Sequence, residues 1–135
     1  MIRARVLTAA EAQGPVLALG EPLSFWGGFE PRTGEILDIH HPQRGRCLTG
    51  AILLMEESRG SGSAPGAIAE AIRLGTAPAA IILTRADVNL SIGAEVAATL
   101  YGRSCAVLVV SSQELLSLRS ASALSISRDG EIAGI

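Results

Sequence analysis

The stretch Arg59-Gly60-Ser61-Gly62-Ser63-Ala64-Pro65-Gly66 gathers two hydroxyls, three glycines and a guanidinium into eight residues. An apolar run of strand length, Leu48 to Met55, precedes it. Ala67 to Leu74, helical in composition and spacing, follows it. The order is strand, glycine-serine loop, helix start. Backbone N–H groups at a helix start lack partners inside the helix, and the dipole there is positive. Glycines let such a loop approach a ligand closely. The combination suits an anion, carboxylate or phosphate, with Ser61 and Ser63 adding hydroxyls. The same residues also fit a flexible loop in which Ser63 is an N-cap and Pro65 sits in the first turn. No lysine follows, so this is not a Walker loop, and the glycine spacing is not that of the dinucleotide fingerprint.

The remaining reactive groups are few. His40 and His41 lie in a polar turn, Asp38 to Gly45. Neighbouring residues of an extended chain point to opposite sides, so the pair makes a poor metal site. A surface turn and acid–base or substrate contact both remain open for them. Cys47 and Cys105 are far apart and outside any C-x-x-C, and buried free thiols are expected. The usual ligand count for zinc or an iron–sulfur cluster is not met by this chain alone, so no metal ligand is assigned. All the basic residues are arginine, which excludes lysine Schiff-base chemistry. A net charge of −2 without a basic run gives no support for nucleic-acid binding. No apolar run reaches the ~18 residues of a membrane span, and Met1-Ile-Arg-Ala-Arg5 lacks a signal core. The expected compartment is the cytoplasm, with no membrane partner.

The elements that must position these groups form an α/β chain, expected to be one domain over residues 1–135. Aromatic residues make up only 3%, so the core must be built from Ala, Val, Ile and Leu. Ile2 to Val6 alternates as a strand. Gly14-Pro15 is expected to break the chain before a second strand, Val16 to Leu19. Glu21 to Gly34 holds Trp26, Phe25 and Phe29 in an irregular segment, either a plug over the core or the wall of a pocket or interface. Glu35 to Asp38 is a short strand. Leu48 to Met55 is a central strand, followed by a helix over about 65–74 closed by Gly75. Strand 79–83, helix 91–101, strand 106–110 and a short helix opened by the capping box Ser111 to Glu114 imply parallel strands joined by crossovers. Ala123 to Ser127 and Glu131 to Ala133 flank Asp129-Gly130 as a hairpin. The first half is strand-rich and irregular; the second is βαβα.

The series Leu23-Ser-Phe-Trp-Gly-Gly28, Pro31-x-Thr-Gly34-x-Ile36-x-Asp38, His41-Pro42-x-x-Gly45 and Gly60-Ser-Gly-Ser63 resembles the small subunit of the aconitase X family. Ala86-Asp87-x-x-Leu90-x-x-Gly93-Ala94 continues it, so the resemblance covers most of the chain. It implies the swivelling β/β/α domain, as in the swivel domain of aconitase. It further implies a dehydratase whose large subunit carries an iron–sulfur cluster, while the swivel part closes over the site and supplies a serine. Dehydrations of cis-3-hydroxy-L-proline and of mevalonate 5-phosphate are the activities implied.

Carried over by residue, the resemblance makes Ser61, directly after Gly60, the catalytic serine, with Ser63 the second choice. Gly60, Gly62, Ser63, Arg59, Trp26 and Gly27 are the expected substrate-binding residues. Aconitases commonly have Gly-Ser-Ser-Arg, whereas here the loop reads Gly-Ser-Gly-Ser. The carboxylate-holding arginine is therefore open between Arg59, Arg32 and the partner. The expected partners are an aconitase X large subunit and a small hydroxy acid, most simply cis-3-hydroxy-L-proline, and the chain alone is expected to be inactive. A non-catalytic anion-binding or regulatory module, and a hydrolase using Ser61 with His40 or His41, are the competing classes.

Overall fold

The computed structural model describes residues 1–59 and 62–135. Its main sheet runs in the order β1-β10-β9-β3-β6-β7-β8-β2. The strands are β1 Ile2–Arg3, β2 Arg5–Thr8, β3 Ala12–Ala18, β6 Ile52–Leu54, β7 Ala80–Leu83, β8 Ala106–Val109, β9 Ala123–Ile126 and β10 Glu131–Gly134. A two-stranded ribbon, β4 Phe29–Glu30 with β5 Glu35–Ile36, lies apart from it. The helices are α1 Ala64–Leu74, α2 Val88–Tyr101 and α3 Ser112–Leu118.

The centre is parallel: β3, β6, β7 and β8 pair in register, with Leu53 opposite Ile81 and Ile81 opposite Val107. Parallel strands buried on both faces must be apolar throughout, and β6, β7 and β8 are, whereas β3 carries Gln13 and is only half-buried. Because side chains alternate across a strand, Leu53, Ile81, Leu83 and Val107 face one layer with Ile68 and Ala71 of α1 and Leu90, Ala94 and Ala97 of α2. Ile52, Leu54, Ile82 and Leu108 face the other, with Leu115 and Leu118 of α3 and Leu124, Ile126 and Ile132 of the terminal hairpin.

Two strands differ from the sequence-based expectation. The run from Ile2 to Val6 is two strands, interrupted at Ala4, whose N–H donates to the Gly130 carbonyl at 2.8 Å. β1 pairs with β10 at one edge of the sheet and β2 with β8 at the other. With one residue between them, the two edges are drawn together there, which is how a twisted sheet rolls towards a barrel. Second, Gly14-Pro15 does not break the chain. β3 runs through it, antiparallel to β9 over 12–15 and parallel to β6 over 16–18. A proline donates no ladder bond, but here it lies where β3 changes partners, and Gly14 is packed on backbone. A β-carbon on Gly14 would stand 2.4 Å from the Gly50 carbonyl oxygen.

The strand expected over Leu48 to Met55 is only Ile52–Leu54, because Thr49 and Gly50 form a turn with Gly50 at positive φ, and that over Glu35 to Asp38 is only Glu35–Ile36; the helices and the terminal hairpin follow the sequence more closely. Gly75 and Gly102 close α1 and α2 in the left-handed conformation. Ser111 and Glu114 form both halves of the capping box of α3. α2 starts three residues earlier than its apolar spacing suggests, because Asp87 takes the N-cap and accepts from the Leu90 N–H at 3.1 Å. Among the described residues no helix is long and apolar enough to cross a membrane.

Candidate active site

Strands β3, β6 and β7 are parallel, so their carboxyl ends lie on one rim, the edge where open α/β sheets place ligands. Three segments leave that rim: Leu19 to Pro22 into the aromatic segment, Glu56 to Arg59 into the glycine-serine loop, and Thr84 to Asp87 into α2. They are tied to one another. The Thr84 N–H and hydroxyl both donate to the Glu56 carbonyl at 2.9 Å. Arg85 pairs with Glu57 at 3.3 Å. The Ser58 hydroxyl donates to the Asp87 carboxylate, and Ser58 bridges to Leu23, with the Arg59 N–H on the Leu23 carbonyl at 3.0 Å.

Gly60 and the expected base Ser61 lie outside the described residues. Around them, Gly62 and Ser63 are exposed at the start of α1. Ser63 holds the N-cap position with helical torsion angles, and its side chain makes no cap bond to the first turn. The expected capping hydroxyl is thus not used for capping. The first-turn N–H groups of an α-helix have no partner within it, an arrangement that suits an anion. Arg59 is exposed, with a loose 3.9 Å ion pair to Glu21. Arg32, the other chain-borne choice for a carboxylate clamp, is engaged: Glu30 accepts from its Nη2 at 2.9 Å and its Nε at 3.3 Å. That hydrogen bond holds the Glu30 carboxyl below its ordinary range and raises the Arg32 guanidinium above its own.

The aromatic segment divides its roles. Phe25 and Phe29 are buried and meet edge to face at 5.2 Å between ring centres, worth about 0.5–1.5 kcal/mol beyond their burial. They are the plug. Trp26 is 61% exposed and is the wall. Its N–H and carbonyl both bond to the Ser24 hydroxyl, at 3.3 and 2.8 Å, which fixes the backbone that presents the indole. Phe25, Trp26, Gly27, Phe29 and Pro31 face Gly66, Ala67 and Glu70 across an apolar groove of about 480 Å³. The structure therefore brings Trp26 and Gly27 to the first turn of the helix that follows the glycine-serine loop.

His40 and His41 part company. His40 is exposed, while His41 is 4% exposed. Its Nδ1 accepts the Gln43 N–H at 3.1 Å, so Nε2 carries the proton and donates to the Glu21 carbonyl at 3.0 Å. Gln43 in turn holds both sides of the strand exit, donating to the Ala18 carbonyl at 2.6 Å and accepting from the Gly20 N–H at 2.9 Å. His41 is thus a brace for the aromatic segment rather than a surface residue. Of the cysteines, Cys105 is buried as expected, and burial pushes its thiol up to about 12. Cys47 is exposed, against expectation, because it sits in the loop before β6 beside Thr49 at 3.2 Å.

Cluster iron needs several converging thiolates. A sealed, neutral Cys105 and a surface Cys47 do not fit an iron–sulfur cluster. Among the described residues, no three His, Cys, Asp or Glu side chains gather into a metal site.

Sequence reasoning missed Ser58 and gave Asp87 no role, although Asp87 stands in the series that carries the resemblance. The available signal was an N-cap aspartate three residues before a buried leucine, Asp87-x-x-Leu90. It also missed Glu21 and Glu70, which only the folded chain brings to the site.

The parallel strands, with α1 and α2 packed on one face of the sheet, define an α/β domain whose candidate site lies on the carboxyl rim. A family model, the aconitase X swivel domain, matches residues 1–134. The chain belongs to that family. It is 45% identical over 104 residues to cis-3-hydroxy-L-proline dehydratase of Pseudomonas aeruginosa, covering 77% of this chain and 18% of that protein. It is 41% identical over 90 residues to the phosphomevalonate dehydratase small subunit of Methanothermobacter thermautotrophicus, covering 67% of this chain and 69% of the relative. The chain thus spans under a fifth of the length of the first relative. The holo-form crystal structure of aconitase X from Thermococcus kodakaraensis has the same fold, with a TM-score of 0.82 at 24% identity over 98% of this chain and 96% of that one. The solution structure of a UPF0107 protein superposes with a TM-score of 0.85 at 23% identity over 99% and 98% of the two chains.

Proposed function

We propose that this chain is the small subunit of an aconitase X-type hydro-lyase and removes water from cis-3-hydroxy-L-proline together with a separate large subunit. The observation that carries the reading is the convergence of Arg59, the α1 start and the Trp26 wall on one rim. The 45% identity to a cis-3-hydroxy-L-proline dehydratase supports the substrate. The 41% identity to a phosphomevalonate dehydratase small subunit supports mevalonate 5-phosphate as the second reading, and the α1 start suits its phosphate equally well.

In this account Ser61 takes the proton from the carbon next to the carboxylate. The electron pair left behind forms the carbon–carbon double bond, the bond to the hydroxyl oxygen breaks, and the departing hydroxide gains a proton and leaves as water. A serine is a weak base in water, so its oxyanion needs N–H donors and a positive helix end in a dry site. The α1 start supplies the field, and the groove walled by Trp26 excludes water once the site is closed. Arg59 holds the substrate carboxylate, since its pairing with Glu21 is loose whereas Arg32 is committed to Glu30. We assign the iron–sulfur cluster to the large subunit, because the cysteines of this chain do not fit one. The cell compartment proposed is the cytoplasm.

The test is anaerobic co-expression with the candidate large subunit and assay of water loss from each substrate. Activity that requires both chains and favours cis-3-hydroxy-L-proline is expected. A well-formed complex inactive on every hydroxy acid would point instead to a non-catalytic anion-binding module.

A further inference from the structure

Both ends of the glycine-serine loop are anchored on one helix. At its entry, the half-buried Ser58 donates to the half-buried carboxylate of Asp87, the N-cap of α2. The other oxygen of that carboxylate is held by the Leu90 N–H at 3.1 Å, so the side chain is fixed at both ends. The next residue, Arg59, is pinned by its N–H on the Leu23 carbonyl at 3.0 Å. At the loop's exit, Pro65 in the first turn of α1 lies on Gly93, one and a half turns further along α2. A charge-assisted O–H···O⁻ bond is about twice as strong as a neutral one and is directional.

We propose that Ser58 and Asp87 are a positioning pair that sets where Arg59 and the start of α1 stand relative to substrate. Neither residue touches the reacting atoms; each acts through Arg59. The inference rests on the dehydratase reading for its effect on rate, but not for its effect on the loop. The pair also ties Arg59 to Leu23, from which the aromatic wall begins, so Arg59 and the wall keep one relative position.

The test combines two readouts on the full chain. Hydrogen exchange followed by NMR reports the Arg59 and Leu90 amides without any partner. In Ser58→Ala the Arg59 amide should exchange about tenfold faster or more while Leu90 stays protected, since the Asp87 cap is untouched. Asp87→Ser keeps an N-cap but is too short to reach Ser58, and should give the same pattern. In the complex with the large subunit, both variants should lose about 10- to 100-fold in kcat with KM nearly unchanged. Ser58→Thr should restore the rate, and the double variant should be no worse than either single one, as expected for a coupled pair. Unchanged Arg59 exchange in both variants, or unchanged kcat in an active complex, overturns the proposal. Faster Arg59 exchange in a chain whose wild-type complex has no activity supports the pair and overturns the dehydratase reading.

Discussion

Gly93 of α2 lies directly against Pro65 of α1: a β-carbon on Gly93 would stand 2.6 Å from the Pro65 carbonyl oxygen and 2.1 Å from Cγ2 of Ile68. The two helices can approach this closely only because position 93 has no side chain. Backbone cannot give way as a flexible side chain can, so Gly93→Ala must push the start of α1 outward. Overpacking of this kind costs about 1–3 kcal/mol. Urea denaturation should show a lower midpoint with little change in slope, and the displaced α1 start should weaken anion binding as well.

The buried thiol gives the fold a pH dependence. Cys105 is fully buried and its thiol is pushed up to about 12 from an ordinary value of 9.0. The folded form is therefore the harder one to ionise. Its contribution is complete below pH 9 and is lost as pH rises towards 12, at about 1.4 kcal/mol per pH unit where only the unfolded chain ionises. Chemical denaturation of wild type and Cys105→Ala across pH 8–11 checks this. The variant should lose the extra alkaline slope while keeping any slope due to other groups.

Thiol labelling separates the two cysteines. Cys47 is exposed and Cys105 sealed, so an aromatic disulfide reagent should modify one thiol per chain in the native state and two after denaturation. Mass mapping should place the native label on Cys47.

Trp26 is the sole tryptophan and stands exposed on the groove wall, so its fluorescence reports that wall alone. Emission should move to shorter wavelength when the large subunit closes over it. Trp26→Ala should raise KM several-fold and leave the fold intact, because the core plug is Phe25 and Phe29. No emission change on complex formation would place Trp26 away from both partner and substrate.

What the sequence could disclose follows from the range of each interaction. The parallel strands, α1, α3 with its capping box, and the terminal hairpin are encoded locally by apolar runs, caps and turn residues, and they were legible. The partition of Ile2 to Val6 between opposite sheet edges, and the passage of β3 through Gly14-Pro15, depend on strand partners remote in the chain. At the site, the helix that follows the glycine-serine loop was legible from its apolar spacing and its closing glycine. Ser58 with Asp87, and the buried His41, were not. Their roles come from tertiary hydrogen bonds spanning 29 and 20 residues. The split between Phe25 and Phe29 as plug and Trp26 as wall likewise needed the fold, since all three share one segment.

The most direct measurement is the anaerobic dehydration rate of cis-3-hydroxy-L-proline by the reconstituted two-subunit complex, comparing wild type, Ser61→Ala and Ser63→Ala. Loss of a catalytic base removes about 10² to 10⁴ in rate or more. The account predicts that Ser61→Ala falls by at least that range with the complex still formed, while Ser63→Ala keeps most of its kcat. Full activity in Ser61→Ala would contradict it and take the base out of this residue altogether.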